Sequence, residues 1–373
     1  MLFYSKFLYP IECLNKHSRF NQSINLIVYI LYNLSYIPYL ENLFLSPAQL
    51  NLLPFFNRYL LNFMSKNLAT LIGLSAILMW ASMVGLMKQV SAAIGPELGV
   101  TLIYSLSALL LLAIFKVPDF KQISRKYLIL GTVLFVAYEL CFSFAIAYSQ
   151  SPQQAIEVSI VNYLWPSLTV LAFVIFKELK FNFLIILGLL ISISGIIFIQ
   201  TGSGDFSLSS IVDNFHSNPL SYILAFVGAI IWAFYCVLTK KMSNGQNPIS
   251  IFFVCVALTL WLKLLLSGQF AIPSMDIPTV ITLLVASAAI GFGYAAWNIG
   301  IIHGNITMLV VASYFTPIIS SILAMFVLQT QLSLSFWQGT AMVTAGSFIC
   351  WISTNWSMIQ PFFKKLRKDE KAL

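Results

Sequence analysis

Glu139, in "YELCFS", has the most chemistry to offer of any side chain here, because it falls about midway along an apolar run. A carboxylate at the centre of a bilayer is costly and marks a functional site by default. It can bind an amine, exchange a proton or hydrogen-bond a neighbouring helix, and the residue type suits all three. A second set lies in "AIEVSIVNYLWPSL" (155–168), where Asn162, Tyr163, Trp165 and Pro166 interrupt an apolar stretch. Pro166 has no N–H to donate, and its ring clashes with the carbonyl of Asn162. A carbonyl freed in lipid must find protein, water or a ligand. Ser159, Asn162, Pro166 and Thr169 follow 3–4 spacing and share one helical face. That face reads either as the lining of a substrate path or as a kink braced by its own polar side chains.

The device recurs. In "SYFTP" (313–317), Pro317 strains the carbonyl of Ser313, and Tyr314 answers Tyr163, so both prolines are predicted kink or hinge positions. "GFGYAAWNIGIIHGN" (291–305) adds Gly291 and Gly293, which permit bending or close helix approach. Its Trp297 and Asn298 suit an apolar pocket with one orienting hydrogen bond, although a Trp near a span end also serves as an interfacial belt residue. Glu157 is read as a first-turn acid complementing the helix dipole, and His303 as a capping or loop residue just past a span. Gly188 and Gly195, like Gly339 and Gly346, mark packing seams. No H-E-x-x-H, G-x-S-x-G or P-loop pattern is present, so enzyme chemistry, cofactors and metals are not expected. Without an ATP-binding domain, active transport would be secondary.

These residues need elements that cross a membrane. Of 373 residues, 59% are hydrophobic and 9% charged, against roughly a quarter charged in soluble domains. The composition predicts an all-α polytopic membrane protein. Ten spans are expected, near 68–87, 98–115, 128–148, 156–176, 183–200, 219–239, 249–267, 278–298, 305–327 and 334–354. The net charge of +8 collects in short alternate loops: Lys116, Lys121, Arg125 and Lys126 in one, Lys240 and Lys241 in another. Lys364, Lys365, Arg367, Lys368 and Lys371 form a basic tail over 355–373. This bias places both termini in the cytoplasm. Loop 201–218 falls outside, and Lys88 and Lys263 snorkel at outer span ends. Basic residues confined to loops form no continuous face for nucleic acid. Cys141, Cys236, Cys255 and Cys350 lie in apolar runs and read as small hydrophobes.

Residues 1–63 contain no Gly, Trp or Thr, and Met64 opens a stretch that reads like a natural start. The segment is expected to be a dispensable or upstream extension. Beyond it the chain repeats. "WASMVGLMK" (80–88) matches "WAFYCVLTK" (232–240), Pro166 matches Pro317, and Gly188 and Gly195 match Gly339 and Gly346. The offsets are 152, 151 and 151 residues. Two five-span repeats, 64–200 and 201–354, have an odd number of spans each, so the second inserts upside down. Inverted repeats belong to alternating-access transporters, whose substrate sits near the midplane between the halves. A receptor or scaffold needs no such symmetry.

Through "AIEVSIVNYLWPSLTV", "GYAAWNIGIIHGNIT", "SYFTPIISS" and "SFWQG", the chain resembles the YddG-type exporters of the drug/metabolite transporter superfamily, built from paired EamA domains. The resemblance runs from about Met64 to Trp351. It implies ten helices around a central cavity in the bacterial inner membrane, and efflux of phenylalanine, tyrosine and tryptophan. A broader metabolite or drug exporter of the same fold is the alternative. By position it implies that Tyr138, Glu139, Phe142, Tyr163, Trp165 and Trp232 face that cavity, where aromatic side chains suit aromatic substrates. Asn162, Trp297, Asn298 and Tyr314 complete the expected substrate-binding set. The resemblance implies no oligomeric state and no partner beyond substrate and lipid.

Overall fold

The computed structural model describes residues 65–115, 120–200, 208–243, 248–268, 273–356 and 360. The expected extension over 1–63 and the lysines and arginine of the tail lie outside the described residues, as does Lys116. All regular structure among the described residues is helical. The helices are α1 (Lys66–Ile94), α2 (Pro96–Phe115), α3 (Arg125–Ala147), α4 (Pro152–Asn162), α5 (Trp165–Ile175) and α6 (Phe183–Ile199). After them come α7 (Leu208–Ser217), α8 (Pro219–Met242), α9 (Ile249–Leu266), α10 (Ile277–His303), α11 (Ile306–Ser313), α12 (Thr316–Val327) and α13 (Leu334–Thr354).

Their starts follow from local chemistry. Ser65, Ser151, Asn182, Asn218, Asp276, Asn305 and Ser333 each accept a backbone N–H from the first turn they precede. Such caps satisfy donors that an apolar helix cannot otherwise pair. Seven segments are long and apolar enough to cross a membrane, α4 and α5 counting as one, and α6 and α12 are shorter apolar helices. Large side chains such as Leu71, Leu109, Ile129, Leu258 and Phe326 stay more than 60% exposed on the outer surface, as lipid-facing residues must. The protein is a polytopic helical membrane protein.

Two expected spans differ from the structure in the same way. Each was read as one kinked helix, and each is two helices. Tyr163 and Leu164 close α4 with bonds to the carbonyls of Ile160 and Val161, and Tyr314 and Phe315 close α11 on Val311 and Ala312. These i→i−3 bonds correspond pair by pair at the 151-residue offset. Pro166 and Pro317 then occupy the first turn of α5 and α12, where a missing N–H costs nothing. The strain is thus resolved by a helix break rather than by a bent helix. The expected outer loop also contains α7, whose alternation of apolar and polar residues makes an amphipathic helix. His303 is the last residue of α10 rather than a loop residue beyond it.

The most extensive helix pairs are α1 with α10, α6 with α13, α3 with α8, and α2 with α9. Exchanging the halves converts the first pair into the third and maps the other two onto themselves. Along the α6–α13 seam, a methyl group built on Gly188 would lie 2.5 Å from the Gly346 carbonyl oxygen, and one on Gly195 would lie 2.5 Å from that of Gly339. As one residue number rises the other falls, so these corresponding helices run antiparallel with backbones in contact. Ser192 donates to the Val343 carbonyl between the two glycine crossings (3.3 Å). Only glycine allows so close an approach.

Candidate functional site

Helix α3 carries Phe135, Tyr138, Glu139, Phe142 and Ser143 at spacings of three and four, so they converge on the helices it packs against. Across from it, α8 presents Trp232, whose ring centroid is 4.4 Å from Tyr138 and 5.0 Å from Tyr235. Tyr138 stacks parallel to Phe142 at 6.1 Å. The α4–α5 break turns Trp165 toward the same group, edge-on to Trp232 at 6.2 Å. Four of the expected residues therefore meet, drawn from α3, α5 and α8.

The ring system continues into the other half. Phe135 contacts Trp232 at 6.3 Å and Phe253 of α9 at 5.5 Å. Phe253 meets Tyr294 of α10 at 5.4 Å, and Tyr294 meets Trp80 of α1 edge-on at 5.2 Å. Trp297 lies 5.4 Å from Trp80. Phe135, Phe253 and Tyr104 are buried, whereas Tyr138, Phe142, Trp165, Trp232, Tyr294, Trp297 and Trp80 keep partial exposure. The result is a continuous aromatic surface from Trp165 to Trp297.

Its polar groups are few. Glu139 is buried and accepts the Tyr104 hydroxyl of α2 at 2.6 Å, while Ser143 donates to that hydroxyl oxygen at 2.8 Å. Tyr104 in turn stacks on Phe253. Asn162 is 1% exposed, and its Oδ1 has no hydrogen-bond partner. The Asn162 amide sits beside the Tyr138 hydroxyl, and a methyl group built on Gly228 of α8 would lie 3.5 Å from Oδ1. A buried acceptor with no donor is costly unless something supplies one.

Other expected residues fall elsewhere. Tyr314 packs on Phe348 and Trp351 of α13, both at 6.3 Å, apart from the Trp232 rings. Tyr163 and Pro317 are buried, and Pro166 is half-buried. Helix α10 runs unbroken through Gly291 and Gly293, which instead sit close to Leu110 and Trp80. The side chain of Asn298 lies outside the described residues. Glu157 is no first-turn acid: it is 4% exposed, accepts the Gln153 amide at 2.7 Å and the Tyr222 hydroxyl at 3.2 Å. The expected list omits Trp80, Tyr104, Phe135, Tyr235, Phe253 and Tyr294. For Trp80 the signal was present, since the repeat aligns it with Trp232.

Two ionic clusters join the halves. Where α2 begins and α9 ends, Lys263 pairs with Glu97, and Tyr148 donates to Glu97 Oε1 at 2.9 Å. Lys263 also lies over the Phe144 ring at 4.6 Å, and Lys88 donates to the Ser149 carbonyl. At the other end of the bundle, Glu178 pairs with Lys240 at 3.2 Å and Lys241 at 3.3 Å. Hydrogen bonds from Lys240 and Lys241 hold the Glu178 carboxyl below its usual range. Lys263 stands fourteen residues after Ile249, so it lies about 20 Å along α9 from the start of that helix at about 1.5 Å per residue. The span-end reading of Lys263 as a snorkelling residue misses its acid, because Glu97 lies 166 residues away.

The EamA-like transporter family is matched twice, over residues 67–201 and 219–352. The aromatic amino acid exporter YddG of Salmonella typhimurium (strain 14028s / SGSC 2262) is 47% identical over 293 residues, 78% of this chain and 99% of that protein. The aromatic amino acid exporter YddG of Escherichia coli (strain K12) is 46% identical over 293 residues, with the same shares. The protein of that name from Ancylobacter novellus is 21% identical over 263 residues, 70% of this chain and 88% of its own. One crystal structure superposes with a TM-score of 0.52 at 20% identity, covering 78% of this chain and 99% of its own, a likeness of fold alone.

Proposed function

We propose, from the premise that this chain belongs to the EamA-like transporter family, that it exports aromatic amino acids by alternating access. The observation that carries this is the aromatic surface assembled from both halves, from Trp165 and Trp232 through Phe135, Phe253 and Tyr294 to Trp80 and Trp297. An aromatic substrate ring gains about 0.5–1.5 kcal/mol for each offset or edge-on partner, and Tyr138, Phe142, Trp165 and Trp232 supply such partners together. Asn162 Oδ1, buried and unpaired, is the acceptor for an α-ammonium or indole N–H. Glu139 supplies a buried carboxyl on the adjoining face of α3.

Alternating access needs two ends that open in turn. The chain is read as ten spans in two inverted repeats, with the substrate site near the midplane. The antiparallel α6–α13 seam, the paired helix breaks and the exchange of α1–α10 with α3–α8 support that reading. Loop lysines and arginines support cytoplasmic termini in an inner membrane. In this orientation the Glu97–Lys263 cluster closes the outer end and the Glu178–Lys240–Lys241 cluster closes the inner end. Each joins an acid of the first half to a base of the second, so each must part when its end opens. Pro166 and Pro317, at the helix breaks, and Gly291 and Gly293, in α10, stand beside the elements that move. Tyr163, Trp297, Asn298 and Tyr314 complete the proposed substrate path.

The test is counterflow in proteoliposomes preloaded with phenylalanine. Labelled phenylalanine should enter, and unlabelled tyrosine and tryptophan should compete while lysine and a lipophilic cation do not. Equal exchange of all of these would replace the aromatic-selective reading with that of a broad metabolite exporter. No exchange of any would overturn the transport reading.

A further inference from the structure

We propose that Trp80 is a substrate-binding residue whose indole N–H donates to the α-carboxylate of the exported amino acid, where the ring meets Tyr294 and Trp297. This assignment rests on the transport reading above and adds the group that recognises the substrate's acid end.

The placement of Trp80 begins with backbone contact. Gly73 of α1 and Gly300 of α10 touch, since a methyl group on Gly73 would lie 2.8 Å from the Gly300 Cα. Seven residues along each helix, in opposite directions, Trp80 meets Gly293. A methyl group on Gly293 would lie 2.7 Å from Trp80 Nε1 and 3.0 Å from its Cδ1. The missing side chain at 293 is therefore what lets the indole lie flat on α10. Tyr294 meets the indole edge-on at an interplanar angle of 65°, and Trp297 packs against it tilted by 47°.

Within this apolar frame, Trp80 Nε1 is buried and has no hydrogen-bond partner. Among the described residues, Asn162 Oδ1 and Glu97 Oε2 are also buried without a partner but are acceptors, and Ser91, Thr340 and Thr344 are hydroxyls. A helical hydroxyl can rotate onto a carbonyl of its own preceding turn. An indole N–H has no such recourse, is a donor only, and is held in direction by the ring. A buried donor left unpaired is costly, and an acceptor brought by the cargo would remove that cost. The cargo class contains one strong acceptor, its carboxylate, and a charged acceptor strengthens the bond. The repeat supplies an independent reason for the placement. Trp80 corresponds to Trp232, so each half places the tryptophan of this repeat position on the aromatic surface.

The test compares phenylalanine with phenethylamine, which keeps the ring and ammonium but lacks the carboxylate. Each competes for labelled-phenylalanine counterflow. The wild-type chain should bind phenylalanine at least about tenfold more tightly than phenethylamine, as the loss of one charged hydrogen bond predicts. Trp80→Phe keeps a ring and removes the N–H, so phenylalanine should weaken by about tenfold while phenethylamine stays within about twofold. Gly293→Ala, which pushes the indole aside, should reproduce the selective loss. Equal weakening of both compounds, or of neither, overturns the assignment. So does equal wild-type affinity for the two, a result that needs no variant to fold. Absence of phenylalanine exchange by the wild-type chain is a different failure, which overturns the transport reading and this assignment with it.

Discussion

Replacing Lys263 by Met should open the end of the bundle at which it pairs with Glu97 and leave the Glu178 end closed. The substitution keeps an unbranched apolar stem and removes the charge that joins α9 to Glu97 on α2. Its magnitude follows from exposure. Lys263 retains 39% of its side-chain surface and Glu97 retains 28%, so solvent screens much of the attraction, and exposed pairs contribute about 0.2–1 kcal/mol. The Tyr148 hydroxyl, 2.9 Å from Glu97, remains as a donor in the variant. A loss of about 1 kcal/mol is the upper bound, and it multiplies the open-to-closed ratio at that end by about fivefold. Glu178→Gln should act in the opposite sense, because Glu178 is tied to Lys240 and Lys241 at its own end. Hydrogen exchange followed by mass spectrometry reads both ends in one experiment. In Lys263→Met, amides at 96–101 and 148–154 should exchange faster, and those at 176–182 no faster than in the wild type. In Glu178→Gln the pattern should invert. Two variants that loosen the same end, or that change neither, would refute the assignment of these clusters to opposite gates.

Three further outcomes follow from particular contacts. Gly188→Ala places a methyl group 2.5 Å from a backbone carbonyl that can yield only if α6 and α13 part. Such overpacking costs about 1–3 kcal/mol, seen as a lower thermal midpoint in detergent, and Gly195→Ala should match it. Glu139→Ala leaves the buried Tyr104 hydroxyl without its acceptor and should destabilise the protein by about 1–3 kcal/mol, whereas Glu139→Gln keeps an acceptor oxygen and should cost less in the same melt. The Glu178 carboxyl is held below its ordinary value of about 4.3 by two lysines. A depressed value means that its contribution is complete above the ordinary value and lost only as pH falls through the lowered one. Protection at 176–182, corrected for intrinsic exchange, should therefore be unchanged from about pH 8 to about pH 5 and fall only in stronger acid.

Much of the architecture was legible because membrane helices announce themselves by length and hydropathy. The helical, apolar character of the segments, the duplicated Trp, Pro and Gly positions and the charged loops all follow from residue type and spacing. The positions of Pro166 and Pro317 located two disruptions within a residue or two, but not their form. Whether strain bends a helix or divides it depends on whether short i→i−3 turns can close the first half, as at Leu164 and Phe315. Glu157 was misplaced for a related reason. Its partner Tyr222 belongs to a helix 65 residues later, and periodicity cannot see across helices.

The sequence by itself determined the class: apolar spans, a repeated pattern of Trp, Pro and Gly, and aromatic and amide residues where lipid-facing helices would avoid them. Those features are local, and physics acts on them before any packing occurs. Tertiary structure decided the rest. It brought Tyr138, Phe142, Trp165 and Trp232 together while leaving Tyr314 with Phe348 and Trp351. It paired Lys263 with Glu97 across 166 residues and left Trp80 Nε1 and Asn162 Oδ1 buried without partners. Which donors and acceptors remain unpaired is a property of helix packing, because a partner is excluded or admitted only by what the neighbouring helix presents.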